Sequence, residues 1–166
     1  MSELTILKQF YRLNRRMRIK YLDALSSLPE KELLRNRGAS YPTMLDIFVH
    51  VLDAYDFWFQ KVLAGEAAVM TDEGKNIRGI EEARRIAMAV SGKVDKYIDR
   101  LEDRDLDREV VLPGGGIASR LGDICWHMVE EELQHRGELN ALLWQIDVEP
   151  PIGQYSDWAE SGSGPS

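Results

Sequence analysis

Glu131 and His135 stand four residues apart in the last third of the chain. That spacing is a little over one turn of an α-helix, so both side chains reach toward one point on one face. Placing His135 at zero and advancing about 100° per residue, Leu121, Ile124, Met128, Leu139, Leu142 and Ile146 all fall within about 40° of it. The pair therefore lies on the apolar stripe that a helix turns toward a core. Burying a carboxylate there costs several kcal/mol unless it is paired or binds a cation. A divalent ion held by Glu131 and His135 meets that cost. The alternative is a core histidine hydrogen-bonded to a neighbour.

A third ligand has to come from another helix, and two histidines remain, His50 and His127. His127 stands two turns before His135 at the stripe's edge, either as an auxiliary ligand or as a partly exposed residue. His50 lies in a segment that is apolar nearly all round, whose polar residues Asp46, His50, Asp53, Asp56 and Gln60 fall on one narrow stripe. Two readings stand for that stripe. Either it faces water, or His50 faces the last helix and completes a site with Glu131 and His135. In the second case Asp53, one turn on, supports a ligand. Asp53 and Glu132 are the candidates for a separate general base, and no residue stands out as catalytic.

Other chemistries are excluded by pattern. Glu132-x-x-His135 matches half of a di-iron carboxylate motif, but Ile47 and Ile124 occupy the positions three before the other histidines. No Gly-x-Ser-x-Gly elbow is present for a serine hydrolase. The glycines at 114, 115 and 116 lack the Lys-Ser/Thr ending of a phosphate loop.

Four periodic segments position these residues: about 3–26, 43–64, 80–101 and 119–146. Pro29 lies past the end of the first. Thr43 and Asp46 read as a capping pair opening the second, and Gly65 stops it. Glu81 and Glu82 suit the start of the third, and Ser119 is the expected cap of the fourth. Residues 109–118 read as an extended turn or small hairpin. The expectation is an all-α four-helix bundle over 1–152, with this extended piece before the last helix. Residues 153–166 are expected to form a flexible tail, its end rich in Gly, Ser and Pro.

Composition narrows the function classes. With 44% hydrophobic residues in 166, the chain can build a core without disulfides. A net charge of -7 argues against nucleic acid or an anionic membrane as partner. The run Arg12, Arg15, Arg16, Arg18 and Lys20 is read as a solvated helix face. The lone Cys125 suits a reducing compartment and an inert buried thiol. No secretory signal opens the chain and no apolar run spans a bilayer, so a cytoplasmic location is expected.

Two segments carry a resemblance. Residues 127–139 (HMVEEELQHRGEL) resemble the last-helix signature of the DinB/YfiT-like family, and residues 43–58 (TMLDIFVHVLDAYDFW) are similar to its second-helix motif. The glycine-rich piece before the last helix fits as well, and the resemblance extends to about Pro151. It implies an up-down-down-up four-helix bundle, often a homodimer, with a divalent metal, commonly nickel or zinc, held by three histidines. His50 matches the helix-two ligand and His135 the final one. Glu131 stands where many members have the middle histidine, and His127 matches a further histidine of the signature. Two histidines and one carboxylate suit zinc with an open position, and also non-haem iron. The implied activity is a metal-dependent thiol S-transferase or isomerase using a low-molecular-weight thiol, or a hydrolase. The alternatives are a stress-associated bundle that binds a metal or ligand without turnover, and a purely structural dimer.

Overall fold

The computed structural model describes residues 1–66, 70, 77, 79–112, 118–153 and 157. Helix α1 (Glu3–Ser26) starts at Ser2, whose side chain accepts from the Thr5 N–H. Its buried face includes Leu4, Leu7, Tyr11, Leu22 and Leu25 at helical spacing. A single turn, α2 (Glu30–Leu33), follows Pro29. Helix α3 (Met44–Asp56) opens with the expected capping box: Asp46 N–H donates to Thr43 Oγ1 at 3.0 Å, and Thr43 N–H donates to Asp46 Oδ2 at 3.1 Å.

The segment Phe57–Ala64 continues α3 with π-helical winding, where the periodicity predicted an ordinary helix. It ends at Gly65, whose φ of 65° lies in the left-handed region that glycine adopts without a side-chain clash. Helix α4 (Ile80–Asp99) buries Ala83, Ile86, Ala87, Val90, Val94 and Ile98. A 3₁₀ turn (Asp103–Asp107) leads to strand β1 (Glu109–Val111), which pairs antiparallel with β2 (Ala118–Arg120). The expected hairpin is thus present, although the triple glycine lies outside the described residues. Of the tail expected over 153–166, residues 154–156 and 158–166 lie outside them as well, while Asp157 is buried and pairs with Lys20 of α1 at 2.6 Å.

Helix α5 (Leu121–Trp144) begins one step later than Ser119 predicted. Ser119 is taken up by the sheet opposite Val110, and Arg120 holds the cap position without a side-chain bond. The first helical N–H, on Leu121, donates instead to the Arg108 carbonyl at 2.9 Å. That contact satisfies a group the missing cap would have served.

The chain is mostly helical, with this one two-stranded sheet among the described residues. Helix α1 packs on α4 and α5, and α3 packs on the same two. Leu7, Leu25, Ile47, Leu52, Phe59, Val90, Met128 and Leu143 lie in their shared core. Among the described residues, no helix is long and apolar enough to cross a membrane.

The basic run on α1 is not one solvated face. Arg15 and Lys20 are exposed and Arg12 and Arg16 partly so, but Arg18 is only 4% exposed. Residues 14, 18, 21 and 25 share one side of the helix, and that side faces the core.

Candidate metal centre

Helices α3 and α5 run antiparallel: His50 meets Glu131 and His135, while Trp58, two turns on, meets His127. The capping box fixes where α3 begins and so which way His50 points. His50 Nε2 lies 2.8 Å from Glu131 Oε1, and His135 Nε2 lies 3.2 Å from the same oxygen. One carboxylate oxygen thus sits between two imidazole nitrogens, with the rings crossing at 76°. The three ligand atoms lie within 4.8 Å of one another and could hold a metal ion. His135 is the inner member at 5% exposure, while His50 and Glu131 are half-buried and form the outer side.

The polar stripe of α3 therefore does not face water as a unit. His50 turns to α5 and Asp53 is exposed. Asp56 and Gln60 are buried, and Asp56 Oδ2 accepts the Met70 N–H at 2.6 Å.

A second layer holds the site. Glu138 Oε2 lies 3.2 Å from His135 Nδ1. An ionised carboxylate only accepts, so Nδ1 carries the hydrogen and Nε2 is the nitrogen offered to Glu131. Both ring nitrogens of His135 face carboxylate oxygens, and a proton or a metal ion at Nε2 is what reconciles them. Glu138 is itself fixed by Ser40, whose N–H donates to Oε1 at 2.7 Å and whose hydroxyl donates to Oε2 at 2.6 Å. Tyr41 stacks on His50 at 4.2 Å between centroids and meets the His135 ring edge-on at 5.7 Å. Sequence reasoning missed Ser40, Tyr41 and Glu138. Glu138 was within reach, being three residues past His135 on the same helix. Ser40 and Tyr41 lie in an aperiodic approach to α3 and left no such signal.

The electrostatics follow the contacts. Burial pushes the Glu131 carboxyl up, but the His50 hydrogen bond and the charges of His135 and His50 more than offset it, leaving it below its ordinary value. Burial opposes ionisation of Glu138 too, and the two Ser40 bonds with His135 bring it below the usual range. The Tyr41 hydroxyl is pushed up by burial and by Glu131, Asp53 and Glu138.

The remaining candidates stand elsewhere. Glu132 is buried in the core, 2.8 Å from the Arg18 guanidinium. Asp53 makes no hydrogen bond to the cluster among the described residues. His127 is exposed, its ring 6.0 Å from that of Trp58, and the structure does not bring it to the other three. Cys125 is buried as expected, and burial pushes its thiol up to about 12, which keeps it unreactive.

The DinB family model matches residues 1–163, and the chain belongs to the DinB family. No curated protein matches it.

Proposed function

We propose that the chain is a metal-dependent enzyme whose divalent ion is held by His50, Glu131 and His135. The observation that carries this reading is the single Glu131 oxygen set between two imidazole Nε2 atoms at 2.8 and 3.2 Å. The donor set fits such an ion: two neutral nitrogens and one carboxylate oxygen, with Nδ1 of His135 already committed to Glu138. Zinc and iron suit it by donor type, and nickel is added by what the resemblance to the family implies. When bound, the ion supplies Lewis acidity that lowers the pKa of a thiol or water at its open position.

The chain's own residues hold and orient. Glu138 and Ser40 fix the His135 ring, and Tyr41 backs His50. The half-buried side at His50 and Glu131 leaves an approach for a small molecule. The reaction class that fits is transfer of a low-molecular-weight thiol to an electrophile, or a thiol-dependent isomerisation, with hydrolysis as the related use of the same site. In this reading α1, α3, α4 and α5 form an up-down-down-up four-helix bundle over 1–152, with a tail after it. The protein works as a cytoplasmic homodimer, and its acidity keeps it from nucleic acid and anionic membranes.

A second reading, a stress-associated protein that binds a metal or ligand without turnover, draws on a specific observation. Among the described residues, the two acids nearest the cluster on α5 are both committed, Glu132 to Arg18 and Glu138 to Ser40, and the exposed Asp53 makes no hydrogen bond to the cluster. The two readings part in an assay of thiols against electrophiles with metal-loaded and metal-depleted protein. Product only with metal supports the enzyme. Equal rates in both samples contradict it, and bound metal with no product supports the second reading.

A further inference from the structure

The far end of α3 carries a second concave site. The π-helical segment, the second half of α4 and the 3₁₀ turn enclose an open cavity of about 660 Å³. That is the size of a small-molecule site. The chain as a whole carries -7, yet four cations line this cavity, Lys93, Lys96, Arg100 and Arg108, against two carboxylates. Both carboxylates are engaged: Glu66 pairs with Lys93 at 3.7 Å, and Asp105 accepts the Glu102 N–H at 2.7 Å. Lys96 and Arg100 stand one turn apart, both exposed, and neither has a carboxylate partner among the described residues. Cations near a helix C-terminus also suit its dipole, so on their own they would mean no more than that.

Gln60 adds the independent observation. Its side chain lines the cavity at 2% exposure, and its amide makes no hydrogen bond among the described residues. The amide atoms are not sealed in the core but open on the cavity, so their donors and acceptor are offered to whatever occupies it, a ligand or water. The π-helical segment presents it, and such winding is rare and concentrates at functional sites. Tyr97 forms an aromatic wall, its ring edge-on to Phe59, and its hydroxyl accepts from Arg108 at 2.9 Å, which holds that guanidinium at the rim.

We propose that this cavity binds a small organic anion. The Gln60 amide and the Lys96, Arg100 and Arg108 cations take its carboxylate or phosphate oxygens, and Tyr97 and Leu101 take its apolar body. The site is separate from the metal centre. Gln60 follows His50 by ten residues, roughly 15 Å along a helix axis.

The test is a calorimetric titration of the full chain with phenyl phosphate and, separately, with benzoate at fixed ionic strength. The variants are the Lys96→Glu/Arg100→Glu double substitution and Gln60→Leu. The expected result is saturable binding of one molecule of at least one probe, and the tighter probe identifies the anionic group. The double variant should bind about tenfold or more weakly, as expected for lost charge-assisted bonds. It should keep its cooperative unfolding and its metal content, since both positions are exposed, with a midpoint only slightly lowered by the lost helix-dipole interaction. Gln60→Leu should also weaken binding. Saturation by neither probe, or equal affinity in the double variant, would overturn the proposal.

Discussion

Two neighbouring glutamates of α5 enter two different interiors. Glu132 meets a permanent cation, Arg18 of α1, whose guanidinium also donates to Ser91 of α4 at 2.7 Å and lies over the Tyr55 ring of α3 at 4.4 Å. Burial works against the Arg18 charge, but Glu132 more than offsets it and the guanidinium stays firmly protonated. Every long helix contributes to that knot, and its partners have no other state to adopt. Glu131 meets two imidazoles at a half-buried edge, a donor set that could take up or release a metal ion with little rearrangement. The difference teaches that a buried carboxylate facing a guanidinium is structural. One facing histidines at a half-open edge is exchangeable.

Breaking the knot should give the largest effect. Arg18→Met leaves Glu132 buried without its cation and is expected to cost about 3–5 kcal/mol, read from urea unfolding. Replacing both partners, Arg18→Met with Glu132→Leu, should recover most of that loss. A mild single variant would mean that the pair is less desolvated than its burial indicates.

Glu131→Gln should do the reverse. Unfolding of the metal-free protein should barely change, while the stabilisation by added metal, about 2.7 kcal/mol at a hundredfold excess over the dissociation constant, should vanish. Glu138→Gln comes next: metal affinity should fall by about 10- to 100-fold, with the ligands themselves intact. A competition titration against a chelator reads this, and Ser40→Ala should show a smaller drop in the same direction.

The smallest effect concerns acid stability without metal. The Glu131 carboxyl is held below its ordinary value by His50 and His135 against the opposing effect of burial. Its contribution is present above the unfolded carboxyl pKa, about 4.3, and is lost as pH falls through the lower folded value. The slight difference between the unfolding midpoints of metal-free wild type and Glu131→Gln should therefore be confined to pH above that value and vanish in acid.

Much of this was legible in the sequence because helical periodicity is a local property. The Thr43–Asp46 box, the hairpin before α5 and the shared face of Glu131 and His135 all follow from spacing within a few turns. That His50 meets them was left open, because the choice depends on which way α3 turns against α5. Arg18 was misread since a charge run in sequence is not a face in space: residues 15, 16 and 18 point in different directions. Ser119 looked like a cap until a strand partner claimed it. The π-helical winding and the Ser40 and Tyr41 contacts arise from packing between distant segments, and no local pattern encodes them.

The most direct test of the metal centre is elemental analysis of the untagged protein beside its His135→Ala variant. The expected result is about one zinc, nickel or iron ion per chain in the wild type and none in the variant. No metal in the wild type after incubation with each ion, or equal metal in both proteins, would contradict the site built from His50, Glu131 and His135.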